Sequence, residues 1–417
     1  MKILLVTRGS QGDIYPYLAL VKALESRGHY VTLTLPKAFE AEAKDAGVHF
    51  LTQSFDDIEG MMAEGALSTK DLLAWVRRVI DSQFDELIPL LREHDILVAT
   101  NTEFAAPSVA EYCGKPLIRT TYGPFIPSKV IPPPAMPWPK PPPIIRPVLL
   151  WLILNTGLNL MILKTLNRRR KQLGMEAIRD QTEHAPANSD NFCMYSRYFG
   201  TYDTNWKYQW EIGGYCFNDS FSYDRTALKN IQAFIKKDRR PTLFFTLGSC
   251  TAKGRDAFAE RLYTVVCRHN LKLVVGCGWW NVGAHLGNRE NLHLLNTTIP
   301  HSLIFPLCDG IIHHGGVGTS HSAARSGRPQ MIIPLLLDQF YWGYRITQLG
   351  IGPGTVNMKR ASCRRLETMV LDLVTNVSYQ KNAAALGEQV RSEQGIETFC
   401  RHIESYDTAE AARRLDA

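Results

Sequence analysis

GIIHHGGVGTSHSAARSGRPQMIIPLLLDQ, residues 310 to 339, is the stretch from which the fold can be read. An apolar strand ends at His313-His314, and a glycine-rich turn, Gly315-Gly316-Val317-Gly318, follows it. A short helix of small residues is expected over Thr319 to Ser326, then a second apolar strand from Met331 to Leu336 that ends at Asp338-Gln339. Glycines let the backbone approach a ligand closely, and the unpaired N–H groups of a helix start point at it, so the layout captures an anion. Diphosphate fits best. Open α/β sheets bind ligands beyond the carboxyl ends of their strands, which turns Asp338 and Gln339 toward the hydroxyls of a sugar carried on that diphosphate.

With strand ends, glycines and acid in this order, the run resembles the donor motif of the GT-B nucleotide-sugar glycosyltransferases. The branch in question is the UDP-glycosyl/glucuronosyl type, family 1, with the bacterial antibiotic, rhamnolipid and sterol glycosyltransferases. The resemblance implies that His314, Gly316, Gly318 and Thr319 hold the donor diphosphate together with Ser249, and that Asp338 and Gln339 hold the donor sugar. It also implies the fold class: α/β, GT-B, two Rossmann-like doubly wound domains facing a central cleft. Two positions depart from the pattern. Plant members carry Trp for base stacking where this chain has Thr298, and Glu for the ribose where it has Ser322. Thr298 and Ser322 are therefore kept as candidate base and ribose contacts. Trp279 and Trp280 join them as alternative stacking faces, each otherwise read as a packed aromatic.

A chain of 417 residues exceeds one ordinary core, so two domains are expected. Hydrophobic residues at 45% and charged residues at 21% describe a globular protein. The net charge of +7 is scattered apart from Arg168 to Lys171 and Lys236 to Arg240, with no interleaved aromatics, so no nucleic-acid partner is expected. Nine cysteines, with no CxxC pair, suit free thiols in a reducing compartment. MKILLVT reads as a first strand and not as a secretory signal. A cytoplasmic location, with membrane association as an option, is the expectation.

Lys2 to Thr7, Pro16 to Arg27 and Tyr30 to Leu35 read as strand, helix and strand. The loop between the first two, RGSQGD, combines Gly9, Ser10 and Gly12 with Asp13 at a strand's carboxyl end, without GxGxxG spacing. Asp13 could cap the helix expected near Pro16. The loop also resembles that of the same family, whose Gln-Gly-His in plant members becomes Gln-Gly-Asp in many bacterial ones, and this makes Asp13 the general base.

Pro124 to Pro147 is dense in proline, which blocks helix and sheet, and is expected as a surface loop. Val148 to Leu163 is the most apolar stretch, roughly 16 residues against the about 20 that span a bilayer. Asn155, Thr156 and Asn159 give it a polar stripe. Burial is the favoured reading. A wall of the acceptor pocket, which the resemblance supports, and a peripheral membrane contact through 148–171 are the others.

Domains are expected at 1–210 for the acceptor and 241–396 for the nucleotide sugar. A linker is expected over 211–240, and a last helix over 397–417 packing back on the first domain. Together these readings imply an inverting, metal-independent transfer of a sugar from a nucleotide sugar, UDP-linked by expectation, to a small lipophilic or polyketide-like hydroxyl acceptor. No cofactor beyond that co-substrate is expected. No two aspartates are separated by a single residue, so a DxD metal-diphosphate site is missing. The alternatives are a non-catalytic nucleotide-sugar or lipid binding protein, or a GT-B epimerase.

Overall fold

The computed structural model describes residues 1–55, 69–135, 146–250 and 252–415. Part of the expected proline loop, residues 136–145, lies outside the described residues.

The first seven strands are Lys2–Val6 (β1), Tyr30–Leu35 (β2), Phe50–Thr52 (β3), Ile96–Thr100 (β4), Leu117–Thr121 (β5), Asp190–Cys193 (β6) and Glu211–Ile212 (β7). They form one sheet in the order β3-β2-β1-β4-β5-β6-β7, parallel at every pairing. The other six are Thr242–Thr246 (β8), Lys272–Gly276 (β9), Leu292–Leu295 (β10), Gly310–His313 (β11), Gln330–Ile332 (β12) and Gly354–Thr355 (β13). Their sheet runs β10-β9-β8-β11-β12-β13, again all parallel. Helices cover both faces, so central strands such as β1, β4 and β8 carry unbroken apolar runs, Ile3 to Val6, Ile96 to Ala99 and Leu243 to Phe245, and do not alternate. Strand order reverses between β1 and β4 in one sheet and between β8 and β11 in the other. The loops after β1, β8 and β11 therefore open at the two switch points, where such sheets take ligands.

Several boundaries differ from expectation, each for a local reason. The first helix is Gln11–Glu25 and carries Pro16 in its body. The helix after β11 is Val317–Ser326, capped by Gly316, so Thr319 lies inside it. The strand expected over Met331 to Leu336 stops at Ile332, because Pro334 offers no N–H to a ladder and Leu337 takes φ +48°. Gln339–Gln348 is a helix that starts directly after Asp338. The stretch 211–240 supplies β7 and the helix Arg225–Lys236, which packs Ile231 and Ile235 against the second sheet.

The apolar run differs most. It is part of a helix, Pro147–Gln172, of 26 residues, and only 22% of its most apolar window is buried. Burial is therefore the wrong reading, and by length and composition the helix could cross a membrane. Val148, Leu149, Leu152 and Leu160 are exposed, while Trp151, Leu154, Leu158 and Met161 line a cavity. Asn159 of the polar stripe donates to Asp180 Oδ1 at 2.8 Å and accepts from the Gln181 N–H.

One hydrophobic cluster runs continuously from the first lobe into the second, from Ile3 and Phe192 to Val317, Trp342 and Phe399. The helix Gly395–Leu415 belongs to it through Phe399, which meets Phe192 edge-on at 5.0 Å. On the same helix, His402 sits 2.8 Å from Asp190 and 2.5 Å from Glu211 of the first lobe. Burial alone would lower the His402 pKa, but these two carboxylates outweigh it and hold the value above the ordinary 6.5. A raised folded value means that the stabilisation is complete below 6.5 and is lost as pH rises through the folded value. Thermal melts of wild type and His402→Gln should accordingly differ more at pH 6 than at pH 9.5, with wild type the higher; a gap that grows with pH would contradict the assignment.

Candidate active site

Asp13 is fixed by its own turn. Its Oδ2 accepts the Ser10 N–H at 2.8 Å and the Ser10 hydroxyl at 3.3 Å, a capping box on the helix Gln11–Glu25. The capping reading thus holds in altered form, since Asp13 reaches back from inside a helix that begins before it. Gly9 makes this fit: its φ is +135°, and a Cβ there would stand 2.3 Å from Asp13 Oδ2. The Asp13 carbonyl accepts from the Tyr122 hydroxyl at 2.8 Å. Oδ1 has no hydrogen-bond partner among the described residues, which leaves one oxygen free. Burial pushes the Asp13 pKa up to about 7; the Ser10 N–H opposes this and the Asp338 charge adds to it.

The facing wall comes from the second lobe. Gly316 caps the helix Val317–Ser326 with no side chain, and the first intrahelical bond is made by Ser320 N–H to the Gly316 carbonyl. The N–H groups of Val317, Gly318 and Thr319 precede that bond and remain for an anion. Burial first, then the charge of His301, holds the His314 pKa near 4, so the ring is neutral at pH 7. Its Nδ1 is buried without a partner among the described residues. His313 is different: it contacts Gln330 at 3.0 Å and accepts the Gly315 N–H at 3.1 Å, so both ring nitrogens serve the fold. His321 likewise accepts the Ser196 N–H and contacts the Val317 carbonyl, bridging the lobes.

Asp338 stands at the start of the helix Gln339–Gln348 but does not cap it. Its Oδ2 accepts the Trp342 indole N–H at 2.8 Å, and burial raises its pKa to about 6. Gln339 Oε1 accepts the Leu335 and Leu336 N–H groups, and its amide donates to Cys250 Sγ. The buried Gln339 therefore shapes the turn that presents Asp338.

A cavity of about 770 Å³ contains Gly9, Ser10, Asp13, His314, Gly316, Asp338 and Gln339. A smaller one of about 110 Å³ contains Ser10, Gly12, Ser249, Thr298, His314, Gly316, Gly318, Thr319 and Ser322. Ser10, His314, Gly316 and Val317 border both, so the two are parts of one cleft. No lysine or arginine is among the lining residues of the smaller part. Trp279 and Trp280 line neither. Trp279 packs on Phe39 at 5.6 Å, and the Trp280 indole donates to the Ser249 carbonyl, so each makes a packing contact within the protein.

Sequence reasoning missed Tyr215. Pro16 cannot donate to the Gly12 carbonyl one helical turn before it, and the Tyr215 hydroxyl takes that acceptor at 3.0 Å. A proline inside the first helical pattern was the available signal. Trp342, the partner of Asp338, carried only the spacing of one helical turn.

The model of the glycosyltransferase family 28 N-terminal domain matches residues 3–132, and that of the erythromycin biosynthesis protein CIII-like C-terminal domain matches 289–399. Sterol 3-beta-glucosyltransferase UGT80A2 of Arabidopsis thaliana is 23% identical over 97% of this chain and 66% of its own length. The sterol 3-beta-glucosyltransferase of Komagataella phaffii is 24% identical over 99% of this chain, which spans only 35% of that protein. Among solved structures, the calicheamicin glycosyltransferase CalG4 superposes with a TM-score of 0.72 at 17% identity, covering 98% of this chain and 99% of its own. SnogD from Streptomyces nogalater gives 0.69 at 20%, covering 97% and 99%.

At Gly318 the lobes lie close: a Cβ on it would stand 2.9 Å from the Tyr215 hydroxyl and 3.1 Å from Gly12 Cα. Relieving such overpacking costs about 1–3 kcal/mol. Gly318→Ala should therefore weaken UDP binding, measured calorimetrically, by about tenfold or more, and unchanged affinity would place the nucleotide elsewhere.

Proposed function

Because the chain belongs to the family-1 GT-B glycosyltransferases, we propose that it moves a hexosyl group from a nucleoside diphosphate sugar, UDP-linked by expectation, to a hydroxyl of a lipophilic or polyketide-like acceptor. The transfer inverts the anomeric carbon and uses no metal ion. The observation that carries this is Asp13, whose Oδ1 has no hydrogen-bond partner among the described residues, lining the same cleft as the start of Val317–Ser326, which has no side-chain cap. The relatives' names, sterol 3-beta-glucosyltransferase, suit a large and mainly apolar cavity.

In this reading the acceptor hydroxyl enters the larger part of the cleft and gives its proton to Asp13 Oδ1 as its oxygen attacks the anomeric carbon. The bond from that carbon to the diphosphate oxygen breaks, and the electron pair leaves with the nucleotide. A carboxylate with a pKa near 7 is matched to removing a proton at neutral pH. Ser10 holds the other oxygen and so fixes the direction of the lone pair. With no cationic side chain lining the diphosphate side, the departing charge falls to the helix start, the neutral His314 ring, and the hydroxyls of Ser249 and Thr319. Hydrogen bonds to an ionised group contribute about 1.5–3 kcal/mol each. Three backbone donors are thus enough to matter. Asp338, held by Trp342, and the buried Gln339 position the sugar.

The exposed apolar side of Pro147–Gln172 is where a peripheral membrane contact would form. Its basic end adds little to this, since Arg168 and Arg169 pair with Asp81 and Asp85, and Arg170 pairs with Glu111. The nine cysteines are all free, in keeping with the cytoplasmic location expected from the sequence.

Asp13→Asn should lower transfer by about 10²-fold or more while UDP affinity stays within a factor of about three. Parallel loss of both would make Asp13 structural. For wild type, kcat/KM should fall as pH drops below about 7, and an acid limb near 4 would mean that Asp13 is not the titrating base. Transfer should survive EDTA treatment at full rate, and loss that Mg²⁺ restores would overturn the metal-free reading.

A further inference from the structure

The larger part of the cleft holds a charge that the reaction does not use. Three cationic side chains line it: Arg8, Lys207 and Arg119. Arg8 pairs with Glu103 at 3.5 Å, and Lys207 pairs with Glu183. Arg119 has no ion pair and no hydrogen bond among the described residues, and its guanidinium carbon lies 5.8 Å from the ring of Trp210.

Its placement belongs to the fold. Arg119 is the third residue of β5. Ile118 and Thr120 turn toward the first helix, where Thr120 meets the Tyr17 hydroxyl, while Leu117 turns the other way into the cluster under Pro147–Gln172. Strand alternation sends Arg119 the way of Leu117, into the apolar half of the cavity. There the lining includes Phe104, Pro107, Trp151, Leu158, Pro186 and Trp210. Burial lowers the Arg119 pKa only to about 10, so the guanidinium remains charged at neutral pH. A charge in low-dielectric surroundings is costly unless paired, and among the described residues no acid pairs with it: Glu103 and Glu183 of the same lining are taken by Arg8 and Lys207.

Resting on the transfer reading above, we propose that Arg119 recognises a carboxylate on the acceptor, so that the acceptor is a lipophilic hydroxy acid with its hydroxyl at Asp13 and its carboxylate at Arg119. The planar guanidinium offers two parallel N–H donors to two carboxylate oxygens, a match that an ester or an alcohol cannot reproduce. Trp210 keeps the fork flat and dry from one side. The apolar walls bind the skeleton, and Arg119 sets which end enters first.

Binding without donor tests this apart from transfer. Lithocholic acid, a long-chain hydroxy fatty acid and an aromatic hydroxy acid are each titrated beside their methyl esters by tryptophan fluorescence. At least one acid should bind tenfold or more tighter than its ester to wild type. Arg119→Gln should bring that ratio close to one without changing UDP affinity, and Arg119→Lys should keep part of it. If no acid outbinds its ester, or if the ratio survives in Arg119→Gln, the proposal is overturned. The wild-type comparison decides even if the variant does not fold. Acid selectivity in binding with no transfer from any nucleotide sugar would instead count against the transfer reading.

Discussion

Two helices meet end to end across the cleft, and the close approach of Gly12 and Gly318 is the constraint on which the rest depends. A Cβ on Gly12 would stand 3.3 Å from the Gly318 N–H. Each helix directs free N–H groups and the positive end of its dipole at the same small volume. Such an arrangement is unfavourable when empty and favourable when negative charge fills it. The first helix partly meets its own need through Asp13. The second has only glycine at its cap and leaves the need to a ligand.

Holding the two starts at this distance takes most of the interface. Tyr215 closes the acceptor that Pro16 leaves open, then stacks on His321 at 4.8 Å, and His321 in turn binds the backbone of Ser196. Phe199 stacks on Trp342 at 4.9 Å, and Trp342 holds Asp338. Interface packing and sugar-side geometry are therefore one structure. A change at the junction that shifts Phe199 also shifts the Asp338 carboxylate in the cleft.

Asp13 and Asp338 are tuned alike, by burial, with values near 7 and 6, and Asp338 raises Asp13 through its charge. Their partners differ: backbone and hydroxyl of Ser10 for one, an indole N–H for the other. Asp13 comes from the first lobe and Asp338 from the second. The apolar helix Pro147–Gln172 forms a wall of the same cavity and leaves its other side exposed. Its amphipathic reading is hidden in the sequence because both sides are apolar and only one meets the protein.

By itself the sequence determined the two sheets, since buried parallel strands are unbroken apolar runs, and it determined the glycine turn after β11 and the Asp13 loop, since those chemistries are local. It also announced the candidate donor residues Ser249, His314, Thr319, Thr298 and Ser322, which the fold gathers at one end of the cleft. Only the tertiary structure decided what depends on residues far apart in the chain. Trp279 and Trp280 are drawn into packing by Phe39 and Ser249, and the Pro147–Gln172 run is left half outside the core. Arg119 reads in sequence as one basic residue in a strand. That no acid among the described residues pairs with it is a property of everything around it, because pairing is set by distances between elements that no local pattern encodes.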